Sequence, residues 1–218
     1  MDIAKYIDHT LLKSSATDQD IKTLCEDALT YKFYAVCVNS FYVSFVKQLL
    51  KGTDIKVCAT IGFPLGAVTT QTKVFETKMA VEQGAEEIDM VLNIGMLKSN
   101  DFDLVFEDIK QVKAACGDTA SLKVIFEISE LTDAQIIKAC TLSIAANADF
   151  IKTSTGFSSS GATLEAVALM KKTAAGKAKV KASGGIRDLE TALQFIEAGA
   201  DRIGTSSGVA IVEAYNAQ

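Results

Sequence analysis

Tryptophan is absent from the 218 residues, and histidine and proline occur once each, as His9 and Pro64. A single histidine excludes H-E-x-x-H and three-histidine zinc sites. It leaves His9 as the one candidate base for a histidine-dependent triad. No apolar run approaches the roughly 20 residues of a membrane helix. Met1 to Thr10 lacks an apolar core, so no signal peptide is expected. There is no G-x-G-x-x-G and no Walker A. The nearest match, Gly156 to Gly161, continues as Ala162-Thr163 rather than Lys-Ser/Thr. The five cysteines, Cys25, Cys37, Cys58, Cys116 and Cys140, form no C-x-x-C pair. Their odd number and apolar surroundings predict reduced, buried thiols in a cytoplasmic protein. Net charge is -5 with both signs interspersed, which argues against a nucleic-acid or anionic-membrane surface.

What is present is a regular alternation. Hydrophobic residues make up 49% of the chain, enough for a sizeable core. Strand-like segments at Tyr6 to Thr10, Ala35 to Asn39, Lys56 to Ile61, Glu87 to Asn93, Leu122 to Ile128, Phe150 to Ser154, Val180 to Ser183 and Arg202 to Thr205 are each followed by a helical pattern. Thr17-x-x-Asp20 and Thr132-x-x-Gln135 read as capping boxes, and Asp188 reads as an N-cap. Helix stops fall at Gly52, Gly84, Gly117, Gly176 and Gly199. Strands without a clear polar face, each followed by an amphipathic helix, indicate a parallel sheet covered by helices. The pattern predicts an α/β fold: one domain over residues 1–218, a (β/α)8 TIM barrel with parallel strands. A doubly wound open sheet is the rival, but nothing marks its switch point.

A weak repeat relates Asn147 to Gly156 with Gly199 to Gly208, and Gly84 to Asp89 fits its first half. It sets Asp89, Lys152 and Gly204 at the same step of strands four, six and eight. Alternate barrel strands contribute to one interior layer, so Asp89 and Lys152 face one space and Gly204 leaves room beside them. Lys181, on strand seven, then adjoins Lys152. Two ammonium groups in a low-dielectric pocket repel. A free lysine has a pKa of about 10.4, and such a pair would bring Lys152 towards about 7–8, where a neutral amine can attack a carbonyl. Asp89 would move protons. The competing reading is a structural ion network of Lys152, Lys181, Asp89, Lys123 and Glu127. Gly184-Gly185 and Ser206-Ser207-Gly208 follow strands seven and eight, where barrels often bind phosphate with backbone N–H groups; ordinary loop punctuation is the alternative.

These segments resemble the deoxyribose-phosphate aldolase family, Schiff-base aldolases of class I. The resemblance spans nearly the whole chain. It rests on Ile7-Asp8-His9-Thr10-Leu11-Leu12, Val36-Cys37-Val38-Asn39, Glu87-Ile88-Asp89-Met90-Val91, Phe150 to Gly156, Lys181 to Arg187 and Arg202 to Ser207. It implies reversible cleavage of 2-deoxy-D-ribose 5-phosphate to acetaldehyde and D-glyceraldehyde 3-phosphate. Lys152 would form the Schiff base, Lys181 would perturb it, and Asp89 would be the acid/base. Gly184, Gly185, Ser206 and Ser207 would hold phosphate, with Thr155, Gly156 and Gly204 nearby. Cys37 would line the aldehyde pocket. The resemblance implies no cofactor and no metal, and it suggests a homodimer. Three positions depart from the family's pattern. Ile128 follows Glu127 where many members have threonine. Phe157 follows Gly156 where some have lysine. Tyr215 lies three residues before the end, where some members finish in a catalytic tyrosine. The remaining alternatives are a transaldolase-like transferase and a catalytically silent phosphate-binding barrel.

Overall fold

The computed structural model describes residues 1–218. Eight parallel strands close into a barrel in sequence order. They are β1 (Ile7–Leu11), β2 (Ala35–Asn39), β3 (Lys56–Ile61), β4 (Glu87–Val91), β5 (Ser121–Ile125), β6 (Phe150–Lys152), β7 (Lys179–Ser183) and β8 (Arg202–Thr205). The outer helices are α1 (Asp18–Tyr31), α2 (Val43–Leu49), α3 (Thr70–Glu82), α4 (Ile94–Lys98), α5 (Phe102–Cys116), α6 (Asp133–Ala145), α7 (Leu164–Ala174), α8 (Leu189–Glu197) and α9 (Gly208–Asn216). The expected TIM barrel is therefore the observed fold. No helix is long and apolar enough to cross a membrane.

The expected caps form. Thr17 accepts from the Asp20 N–H and Asp20 bonds back to the Thr17 N–H, and Thr132 and Gln135 do the same. Asp188 caps α8. Each cap satisfies N–H groups that have no partner inside their helix. The short α4 was not foreseen, because its five residues are too few to show a helical period. The helical pattern after the second strand begins as a 3-10 turn, Ser40–Tyr42, and continues as α2.

The strands are two-faced, and the sequence concealed this. Val36, Val38, Val57, Ala59, Ile88, Met90, Leu122, Val124, Ile151, Val180, Ala182 and Ile203 face outward and join the buried apolar core beneath the helices. Burying such a side chain contributes about 1.5–3 kcal/mol. The inward faces carry charge. Parallel register pairs Asp89 with Lys123, Lys123 with Phe150, Lys152 with Lys181 and Lys181 with Arg202. Strand tilt moves the level of the barrel about one residue per strand. Residues two strands apart therefore lie level when the second is two positions beyond the paired one. This sorts the interior into layers. The lowest holds Ala35, Glu87, Phe150 and Arg202. The next holds Asp8, Cys58, Lys123 and Lys181. Above it lie Cys37, Asp89, Lys152 and Gly204. The repeat in the sequence had brought three members of that upper layer together.

Three strands end earlier than their apolar patterns suggest: β4 stops at Val91, β5 at Ile125 and β6 at Lys152. Glu127 lies beyond β5 in the left-handed region, with φ 58° and ψ 66°. It is not on the strand face of Lys123, so the lysine network takes a different set of carboxylates.

Candidate active site

The upper layer brings Lys152 and Asp89 into contact, and Lys181 rises to the same carboxylate from the layer below. Lys152 Nζ donates to Asp89 Oδ2 at 2.8 Å, and Lys181 Nζ donates to the same oxygen at 2.8 Å. Asp89 Oδ1 accepts from Lys123 Nζ at 2.9 Å and from Cys58 Sγ at 3.1 Å. Lys181 also pairs with Asp8 Oδ2 at 2.5 Å. Lys123 pairs with Glu87 at 2.6 Å. The Arg202 guanidinium bridges Asp8 and Glu87 and lies 3.4 Å over the Tyr34 ring. The interior network is thus real, with Asp8, Glu87 and Arg202 in place of Glu127. Asp8 lies one layer below the reactive step, and Glu87 and Arg202 lie two below it, two positions before Asp89 and Gly204 in the repeat.

Burial would push the Asp89 carboxyl upward, but Lys123, Lys152 and Lys181 hold it well below its ordinary range. Burial pulls Lys181 downward, and Asp8 and Asp89 more than reverse that, so its ammonium is retained above the usual lysine range. Lys123 is held up in the same way by Asp89 and its other anionic neighbours. The network contains four cations, Lys123, Lys152, Lys181 and Arg202, against three carboxylates, Asp8, Glu87 and Asp89. Lys152 is the cation with the fewest anionic contacts, having Asp89 alone.

Lys152 alone of the three lysines opens to the outside. It lines a cavity of about 400 Å³ at the C-terminal mouth of the barrel. Gly184, Gly185, Gly204, Ser206, Thr155 and Gly156 also line it. Asp89 and Lys181 are fully buried behind Lys152. Cys37 is fully buried in the same layer and does not reach the cavity lining, and neither does Ser207. The Ser207 N–H is committed to Thr205 Oγ1 at 2.9 Å. Contact with Cys58 and the pull of Lys181 lower the Cys37 thiol against the opposing effect of burial, whereas burial raises Cys58.

The charged side chains of the cavity are Lys13, Lys152 and Arg187, with no carboxylate among them. Lys13 and Arg187 had not been singled out. Arg187 ends the Gly-Gly motif and was legible there; Lys13 gave no local signal. Gly184 and Gly185 adopt φ +88° and +84°, a region open mainly to glycine. A side chain on Gly161 would strike the Gly184 carbonyl. Gly184 is therefore packed closely between the β6 and β7 loops, whereas a side chain at Gly185 would meet open space. Tyr215 lies away from the cavity, with its hydroxyl donating to the Met1 carbonyl at 2.7 Å. A larger hollow of about 750 Å³ opens at the opposite barrel mouth. Its lining includes Glu87 and Lys179, but none of the three residues grouped at Asp89 Oδ2.

Known proteins match almost the whole chain. Residues 3–214 match the family model described as DeoC/LacD family aldolase. The deoxyribose-phosphate aldolase of Clostridium tetani is 54% identical over 98% of this chain and 99% of its own length. That of Streptococcus uberis is 57% identical over 97% of this chain and 96% of its own. Among solved structures, the tetrameric deoxyribose phosphate aldolase of Aeropyrum pernix superposes with a TM-score of 0.91 at 34% identity, covering 98% of this chain and 91% of that one. A barrel whose buried carboxylate gathers lysines beneath a mouth lined by Lys13 and Arg187, matched over this length and identity, places the chain in the DeoC/LacD family of aldolases.

Proposed function

We propose that the chain catalyses reversible retro-aldol cleavage of 2-deoxy-D-ribose 5-phosphate to acetaldehyde and D-glyceraldehyde 3-phosphate, through a Schiff base on Lys152. One observation carries this reading. Lys152 and Lys181 share Asp89 Oδ2, and of the two only Lys152 faces a cavity lined by cations and glycine loops. The relatives bearing the name of this activity cover nearly the full chain.

The neutral Lys152 amine attacks the C1 aldehyde of the open-chain sugar, and water leaves. The iminium accepts the electron pair of the breaking C2–C3 bond, so the step needs no metal or organic cofactor. Asp89, through water, takes the C3 hydroxyl proton as D-glyceraldehyde 3-phosphate forms. The enamine is then protonated, and hydrolysis returns acetaldehyde and free Lys152. Lys181 stays charged throughout and favours the neutral form of its neighbour. The phosphate lies against Gly184, Gly185 and Ser206, beside the start of α9, whose first N–H groups lack helical acceptors. Arg187 and Lys13 supply charge on a rim where Phe157 supplies none. The five free thiols suit a cytoplasmic enzyme, and we read the small phosphosugar and aldehydes as its only ligands. A homodimer is the assembly suggested by the family.

Borohydride reduction in saturating acetaldehyde tests the proposal. An ethyl adduct mapped to Lys152, together with acetaldehyde release from deoxyribose 5-phosphate, is the expected result. An unmodified Lys152 would reject the Schiff base.

A further inference from the structure

Glu127 is buried at 4% exposure and forms no ion pair. Its left-handed backbone is costly for a residue with a side chain and persists only where neighbours enforce it. They do so here. The Phe126 N–H donates to the Lys152 carbonyl and the Ile128 N–H to the Thr153 carbonyl, both at 3.0 Å. The kink between these bonds aims the carboxylate at Thr155. Thr155 donates twice: its N–H to Glu127 Oε1 at 3.3 Å, and its hydroxyl to Oε2 in a short bond. Thr155 Oγ1 also accepts from the Phe157 N–H at 3.0 Å.

A threonine hydroxyl has one proton and two lone pairs. The proton goes to Glu127 and one lone pair to Phe157. What Thr155 can offer the cavity it lines is a single acceptor. It has no hydrogen for a phosphate oxygen, so the expected role of Thr155 beside the phosphate does not fit this geometry. We infer that Glu127 is a positioning residue for substrate specificity: it holds Thr155 as an acceptor for a hydroxyl of the substrate chain. The best match is the hydroxyl next to the aldehyde of the three-carbon product. This rests on the reading of Lys152 as the imine-forming residue.

The test compares D-glyceraldehyde 3-phosphate with its analogue bearing fluorine in place of that hydroxyl. Fluorine cannot donate. The ratio of the two kcat/KM values for addition of acetaldehyde is measured in the wild type, in Glu127→Gln and in Thr155→Val. Glutamine can donate to Oγ1 and release the threonine proton towards the cavity; valine removes the oxygen. The hydroxyl preference should fall roughly five- to tenfold in Thr155→Val, the scale of one hydrogen bond. It should also change in Glu127→Gln, where the hydroxyl must accept from Thr155 instead of donating to it. Comparing ratios cancels the electronic effect of fluorine. Acetaldehyde trapping on Lys152 in every variant shows that the site is assembled. A trapped adduct with an unmoved ratio in Glu127→Gln overturns the inference about Glu127. Absence of the adduct in the wild type would instead overturn the Schiff-base reading.

Discussion

Lys152 and Lys181 place their ammonium nitrogens on one oxygen of Asp89, each at 2.8 Å. They arrive there differently. Lys181 also holds Asp8 and is sealed in the barrel, whereas Lys152 has no second anion and touches the cavity. The same carboxylate therefore holds one lysine sealed inside the barrel and one that opens to the cavity.

Replacing Lys181 by leucine moves the pH dependence of imine formation upward. The substitution removes a positive neighbour that disfavours the Lys152 ammonium. It also leaves Asp89 Oδ2 to Lys152 alone, which favours that ammonium. Both effects have the same sign, so the midpoint of the profile should rise. Borohydride trapping across a pH series measures it. An unchanged profile would show that Lys181 does not tune Lys152.

Gly204→Ala tests the upper layer by crowding it. A Cβ there would lie 3.0 Å from Lys181 Cε and 3.0 Å from Ser183 Cβ. The lysine end can move, but the strand can yield only slightly. Overpacking of this kind costs about 1–3 kcal/mol. The variant should lose several degrees in Tm, and its imine pH profile should shift in the same direction as that of Lys181→Leu. Crystallography would show Lys181 displaced from Asp89. A Tm and profile like those of the wild type would mean that the space is not needed.

The network also sets a pH window for stability. Asp89 is depressed from 3.8, so its contribution is present above that value and is lost as the pH falls through its folded value. Asp8 behaves likewise, with burial outweighed by Lys181, Arg202 and Lys123. Lys181 and Lys123 are raised from 10.5, so theirs is present below that value and is lost as the pH rises through the folded values. Burial lowers His9 from 6.5, with Asp27 opposing, so its contribution is present above 6.5 and declines as the pH falls. Burial also raises the Cys25, Cys58, Cys116 and Cys140 thiols from 9.0, so the unfolded chain ionises first above that value. Urea unfolding from about pH 3 to about pH 11 should therefore give a plateau between neutrality and about pH 9. Maximal stability near about pH 4 would contradict this assignment of charges.

Sequence by itself determined the alternation of strands and helices, the caps at Thr17, Thr132 and Asp188, and the inward parity of Asp89, Lys152 and Lys181. These are properties of neighbouring residues, governed by periods of two and 3.6. Tertiary structure alone decided which groups share a proton or a charge. Asp89 lies 63 residues from Lys152 and 92 from Lys181, and their contact depends on the stagger that closure imposes on the strands. Asp8, Glu87 and Arg202 joined the network for the same reason. Glu127 left it because β5 ended early and its backbone turned left-handed, which delivered the carboxylate to Thr155. Local pattern selects a face of a strand; only the closed barrel selects the neighbour across it.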